Sequence, residues 1–371
     1  MADWPFSELA DYFQSEHILP VGSGSSGIML ALRLLPPGRR RVILPAATCP
    51  SVVVAILAAG AVPHPVDIQA ADFNIAPRAV AEALNDDTGA VLAVDSFGYP
   101  ADIAALRRAI GARPTLLIED ACQAYGGSEN GLPMGNRADI GIVSFGYSKP
   151  LALEGGGLLI TRSRAAHNEL RLLAGRGGSG ILSRLKNGLA LTLMKRDSYP
   201  LFAFLSRHAA LLRYPFPARL QAGLQERWRT FSGEAASMRD QSRRLAALAA
   251  LIPGVRPFAY TAADWLPWRY SFTVPAEADR QETLASLRRH GIAFSRLYRP
   301  LDEFFALPSA MAAPQARRLS NEIVNLLYPS TSAALSLLNR RLASLLNDGR
   351  TRAAGFGAGR ETPEDLPDAT S

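Results

Sequence analysis

Between about residues 18 and 161 the chain alternates short β-branched or aliphatic runs with longer stretches of helical period. That spacing predicts an α/β fold with a mainly parallel sheet and crossover helices on both faces. The strands expected are 42–44, 62–67, 90–95, 115–119, 140–145 and 157–161. Most run directly into polar residues, and open α/β sheets carry their sites outside the carboxyl ends of their strands. Residues 25–35 read as a helix entered from Val21-Gly22-Ser23-Gly24 and stopped by Pro36, Pro37 and Gly38. A linking helix is expected over 235–251. A second, smaller α/β pattern follows, with strands at 270–274 and 292–298, a helix at 280–290 and a closing helix at 332–346. The expected organisation is a large domain over 15–234, a small C-terminal domain over 235–347, and a disordered tail over 348–371 rich in Gly, Arg, Glu, Asp and Pro.

The chain has 371 residues, 48% hydrophobic and 20% charged, enough for a sizeable core. Lys and Arg total 40 against 33 acids, but only Lys149, Lys186 and Lys195 are lysines. Base composition explains the bias in the first instance, since both cations solvate a surface well. Where a lysine does occur in such a chain, charge alone is a poor reason for it. The arginines are scattered and no zinc-finger, RRM or KH pattern occurs, so nucleic acid is not an expected partner. Two cysteines, Cys49 and Cys122, do not make a disulfide framework. No leader pattern or long apolar span is visible, and a cytoplasmic protein is the expectation. His17, His64, His167, His208 and His290 lack metal-ligand spacing, and no metal is expected. Residues 181–216 interleave apolar runs with Arg184, Lys186, Lys195, Arg196, Arg207 and Arg213. They read as a helical hairpin at a subunit interface, with peripheral contact to an anionic membrane as the alternative.

Three segments carry candidate chemistry. In 116–123 an apolar strand runs into Glu119 and Asp120, placing a carboxylate at a strand end where it needs a cationic partner. A capping box of Asp120 and Gln123 is the structural alternative. In 139–149 a second apolar strand ends in Ser144 and then Lys149. A lysine there is explained by amine chemistry, since only Lys forms an imine with an aldehyde and later acts as a base. In 22–27 a Gly/Ser turn opens a helix, where backbone N–H groups and the helix dipole favour an anion, or where the turn is simply a capped loop. Together they suit a phosphate-bearing aldehyde with a basic ring nitrogen, which describes pyridoxal phosphate.

On these residues the sequence resembles the DegT/DnrJ/StrS-type aminotransferases, over about residues 18–345. The resemblance implies the fold type I pyridoxal-phosphate transferase fold. Val21-Gly22-Ser23-Gly24-Ser25-Ser26 is similar to the family's phosphate-binding turn, which implies Gly24, Ser25 and Ser26 as phosphate contacts. Glu119-Asp120-Ala121-Cys122-Gln123 is similar to its Glu-Asp-Ala-Ala-Gln motif, giving Asp120 the ring nitrogen and Gln123 the ring hydroxyl. Ser144-Phe145 with Lys149 is similar to Ser-Phe-x-x-x-Lys, making Ser144 a phosphate ligand and Lys149 the Schiff-base lysine. Residues 42–48 with 59–67 resemble the first strand pair, and Gly291-Ile292 with Tyr298-x-Pro300-Leu301 resembles the substrate-facing stretch, implying Tyr298 as a substrate contact.

There are departures. Cys49 stands where the family stacks an aromatic on the cofactor ring, which implies it as a cofactor contact whose thiol meets the ring face more weakly, and the family's Asn-x-Arg-Met motif is missing after residue 170. The resemblance implies transfer of an amino group from an amino acid, with L-glutamate expected, to a nucleotide-linked keto-sugar in surface-polysaccharide or amino-sugar biosynthesis. It also implies a homodimer. The rival reading is a catalytically inactive, cofactor-binding regulator or assembly partner of envelope-polysaccharide machinery.

Overall fold

The computed structural model describes residues 6–147, 149–175, 215–250, 254–258, 264–305, 313–326 and part of 337–344. The basic, apolar segment expected at 181–216 lies outside the described residues up to 214, as do the tail and most of the closing helix. Among the described residues no helix is long and apolar enough to cross a membrane.

The first part of the chain runs α1 (Phe6–Tyr12), β1 (Ile18–Val21), α2 (Gly24–Ala31), β2 (Arg41–Pro45), α3 (Pro50–Ala58), β3 (Val62–Val66), α4 (Pro77–Ala83), β4 (Thr88–Val94), α5 (Ile103–Ile110) and β5 (Leu116–Asp120). A small hairpin, β6 (Ser128–Glu129) and β7 (Leu132–Pro133), precedes β8 (Ile140–Ser144), β9 (Gly157–Thr161) and α6 (Arg164–Gly175). Seven strands form one sheet in the order β1-β9-β8-β5-β4-β2-β3. It is parallel from β8 to β3, while β9 runs antiparallel to both its neighbours. All seven residues of β4 are buried, as a central parallel strand covered on both faces requires. The covering helices show the same logic. In α5 Ile103, Leu106 and Ile110 face the core while Arg107 and Arg108 do not, Asp102 caps its start by accepting from Ala105 N at 2.8 Å, and Gly111 ends it at φ 61°.

The six strands expected from sequence are present within two residues at either end. Strands not expected include β1, Ile323–Leu326 in the second sheet, and the two-residue strands β6, β7 and Arg256–Pro257, all too short for alternation to mark them. The linking helix runs Gln221–Ala249, beginning 14 residues before the expected 235. It serves two cores: Leu224, Phe231 and Ala235 pack beneath the large sheet, and Leu245 and Ala249 pack under the second. That second sheet is antiparallel, β10 (Arg256–Pro257), β11 (Tyr270–Thr273), β12 (Phe294–Ser295) and β13 (Ile323–Leu326), in the order β10-β11-β13-β12. The strand expected at 292–298 shrinks to two residues, because Leu297 and Tyr298 turn away to meet the large domain.

A buried ion cluster ties the strand ends together. Arg137, in the loop before β8, donates to Glu119 Oε1 at 2.8 Å, Asp95 Oδ1 at 2.7 Å, Glu129 Oε2 at 2.5 Å and the Ala101 carbonyl at 3.1 Å. Its side chain is 4% exposed and those of Asp95 and Glu119 are not exposed at all. Glu119 also accepts from Gly135 N and Arg137 N at 2.9 and 2.8 Å. Burial works against the Arg137 charge, and the Asp95 and Glu119 carboxylates outweigh it, holding its pKa above the ordinary value. Asp95 is pushed well up, by burial first and by the Glu119 charge, against the pull of Arg137. The cation that the carboxylate at the end of β5 requires is thus Arg137.

Replacing Arg137 by Met removes one partner from two buried acids. The expected cost is about 3–5 kcal/mol, read as a fall in the urea midpoint at neutral pH. A change below about 1 kcal/mol shows that the cluster does not hold the strand ends.

Candidate active site

The chemistry-bearing segments meet at one edge of the large sheet, where β1, β2, β4, β5 and β8 all end. At the first of these ends Ser23 caps α2, its Oγ accepting from Ser26 N at 3.1 Å and lying 2.9 Å from the Ser26 hydroxyl. Ser26 is fully buried with its hydroxyl engaged in the cap; Ser25 is only half-buried. The first-turn N–H groups of Gly24 and Ser25 project from the helix start, as helix geometry requires. Gly24 has no room for a side chain: a Cβ there would stand 2.8 Å from Cys122 Sγ and 3.1 Å from Ser144 Cβ. Glycine therefore lets the helix start close onto the ends of β5 and β8. Ser144 is buried there, its Oγ accepting from Gly146 N at 3.3 Å.

Asp120 ends β5 at 6% exposure and accepts from Cys122 N at 3.1 Å. No helix follows, so the capping box that the sequence left open is not formed. Gln123 instead bridges the domains: its Oε1 accepts from Phe97 N at 2.9 Å, and its Nε2 donates to the Tyr298 hydroxyl at 3.1 Å. Burial pushes the Cys122 thiol well up in pKa, and the Asp120 charge adds to it while Lys149 opposes. One thiol thus feels both the acid and the amine and touches the helix start.

A wall of aromatic residues faces this edge, and the sequence reading missed most of it. Phe97, in the turn after β4, has φ 58° and stacks with Trp268 at 6.2 Å and with Tyr298 at 5.5 Å. Positive φ is uncommon outside glycine; here Asn74 holds the turn by accepting from Ser96 N and donating to the Tyr99 and Pro100 carbonyls. The adjoining Gly98 is pressed against the backbone of 266–268, a Cβ there falling 2.2 Å from the Leu266 carbonyl oxygen. Trp268 N donates to Phe97 O at 2.9 Å. Lys149 Nζ lies 5.2 Å from the Trp268 ring centroid. Tyr298 is buried, and burial first, with Cys49 next, keeps its hydroxyl protonated far above the usual range. Cys49 packs beside this cluster, with its thiol 3.1 Å from the Ser51 hydroxyl. The signals available in sequence were the strand-end position of Phe97 and its following glycine. Nothing in residue periodicity marks Trp268.

The arrangement fits a phosphorylated aldehyde. A glycine-cleared helix start with Ser25 and Ser144 suits the phosphate, and Asp120 and Lys149 flank the adjoining space. The buried Thr48 hydroxyl, one residue before Cys49, has no hydrogen-bond partner among the described residues and would gain one from a bound polar group.

Residues 6–187 match the model of the DegT/DnrJ/EryC1/StrS aminotransferase family. By sequence the chain is similar to the erythromycin biosynthesis sensory transduction protein EryC1 of Saccharopolyspora erythraea, at 34% identity over 173 residues, 46% of this chain and 47% of that protein. It is also similar to the dTDP-3-amino-3,4,6-trideoxy-alpha-D-glucose transaminase of Streptomyces venezuelae, at 34% over 173 residues and 46% of each. The matches thus span about half the length of these relatives. The fold as a whole is similar to that of a DegT DnrJ EryC1 StrS aminotransferase from Brucella abortus, with TM-score 0.71 and 21% identity, covering 93% of this chain and 88% of the other.

The loop that sets the Phe97 turn contains a further acid, half-buried. Burial pushes Asp72 up to about 6, against the hydrogen bond it accepts from Asn74 N. An acid with a raised folded-state pKa stabilises the fold below its unfolded value and loses that contribution as pH rises through the folded one. Wild-type protein should therefore lose stability relative to Asp72→Asn between about pH 4 and pH 6.5 in urea titrations. Parallel curves for the two proteins contradict this.

Proposed function

We propose that this chain, whose residues 6–187 belong to the DegT/DnrJ/EryC1/StrS aminotransferase family, is a pyridoxal-phosphate-dependent aminotransferase that moves an amino group from an amino acid to a keto-sugar. The observation that carries the reading is the convergence on Cys122. Its thiol would touch any side chain at Gly24 and sits within the fields of Asp120 and Lys149, so anion cradle, acid and amine share one small volume.

When bound, pyridoxal phosphate supplies an aldehyde to the amine and a ring that takes up electrons from the donor's α-carbon. The protein does the rest. The α2 start, Ser25 and Ser144 hold the phosphate. Asp120 holds a proton on the ring nitrogen. Lys149 Nζ would hold the cofactor and, as an amine, would supply the base for proton transfer at the donor's α-carbon. The aromatic wall of Phe97, Trp268 and Tyr298 excludes water from that transfer. Gln123 acts through this wall, fixing Phe97 and Tyr298, and Tyr298 is the substrate contact.

L-glutamate is the expected donor and a nucleotide-linked keto-sugar the expected acceptor, in a homodimer. Support for the sugar is the transaminase of Streptomyces venezuelae, whose name specifies a dTDP-linked amino sugar. The sensory-transduction name of the Saccharopolyspora relative favours the rival reading of a cofactor-binding regulator.

A coupled assay with glutamate and a panel of nucleotide-linked keto-sugars decides between them. Turnover by wild type and its abolition in Lys149→Ala are expected. Activity that survives in Lys149→Ala removes the assignment, and cofactor binding without conversion by any amino donor selects the regulator. Gly24→Ala should weaken cofactor binding at least about tenfold by spectral titration, because its Cβ overlaps Cys122 and Ser144. Unchanged affinity shows that the helix start does not carry the phosphate.

A further inference from the structure

The wall facing Lys149 carries a cation that the reading above does not use. Arg269 ends the docked segment, with its guanidinium carbon 4.0 Å from the Trp268 ring centroid. Lys149 Nζ lies 5.2 Å from the same centroid, so the two cationic centres stand within about 9 Å of each other. An anionic group of a small substrate whose reacting atom is at Lys149 therefore needs to reach no farther than that to meet Arg269.

The position is rigid. Trp268 N is bonded to the Phe97 carbonyl, Gly98 leaves no gap beneath the segment, and Ser128 N donates to the Asp264 carbonyl at 3.0 Å. Phe97 stacks on the indole nearly parallel, at 14°. A guanidinium offers a planar fork of donors that pairs with a carboxylate or phosphate. Burial lowers the Arg269 pKa, with the Tyr298 hydroxyl opposing.

We propose that Arg269 is the anion-recognition residue of the site, receiving the oxygens of a substrate carboxylate or phosphate. Two sources share this chemistry: the distal carboxylate of the amino donor and the diphosphate of a sugar carrier. The inference rests on the aminotransferase reading, and the experiment separates the two.

Wild-type holoenzyme, Arg269→Gln and Arg269→Lys are titrated calorimetrically with glutarate and with UDP, after the visible absorption of lysine-bound pyridoxal phosphate has been checked in each. A wild type that never acquires that absorption removes the aminotransferase reading itself. Given the absorption, Arg269→Gln should bind one or both probes about 10–100-fold more weakly, with Arg269→Lys in between and an unchanged thermal midpoint. Loss for glutarate assigns Arg269 to the donor carboxylate; loss for UDP assigns it to the carrier. Equal affinities of wild type and Arg269→Gln for both probes overturn the proposal, as does wild type binding neither. If the Gln variant fails to fold, the Lys variant carries the same comparison.

Discussion

The arrangement of the active edge depends on one buried guanidinium. Arg137 reaches the end of β4 through Asp95, the end of β5 through Glu119, and the start of α5 through the Ala101 carbonyl. Ion pairs of this kind are not favourable merely by being buried; desolvation takes back much of the attraction unless the remaining donors and acceptors are met. Here Glu119 is also met by two backbone N–H groups and Asp95 Oδ1 by Ala101 N at 2.8 Å, while Asp95 Oδ2 has no hydrogen-bond partner among the described residues. The consequence is positional. Asp120 follows Glu119 directly, and the Phe97 turn follows Asp95, so the cluster fixes the residue that would hold the cofactor ring and the first member of the wall opposite.

The segment 264–268 meets the strand ends by close approach more than by bonding. Gly98, Gly126 and Gly127 each present bare backbone to the segment 264–268, with a Cβ at any of them falling within 3 Å of it. Gln123 links the same two parts through Phe97 and Tyr298. This docking bears on the departure at Cys49. A thiol at Cys49 offers less dispersion than a ring and no quadrupole. Phe97, Trp268 and Tyr298 supply three rings in the adjoining cluster, so the aromatic character of the site is drawn from the turn after β4 and from the second domain.

Much of this was legible in the chain. The parallel strands of the large sheet could be read because buried strands are continuous apolar runs bounded by turns, and Asp120, Ser144 and Lys149 could be read because they terminate such runs. The long helix was placed late: its first half buries only scattered residues such as Leu224 and Phe231. Strands β1 and β13, four residues each, are too short for periodicity to register. Arg137 was invisible for a different reason. The acid at the end of β5 announces that a cation must be near, but among 37 arginines nothing local says which. Trp268 packs on Phe97 from a distant segment, and contacts between distant segments leave no local pattern.

The scarcity of lysine makes the central claim directly testable. With only Lys149, Lys186 and Lys195 available, covalent attachment of a pyridoxal cofactor has three candidate amines besides the chain terminus, and one of them lies against Trp268 at the strand ends. The wild-type protein is incubated with pyridoxal phosphate, reduced with borohydride to fix the cofactor to whichever amine holds it, and mapped by peptide mass spectrometry. A single modification at Lys149 is the expected result. Modification confined to Lys186, Lys195 or the terminus, or none at all, contradicts the account.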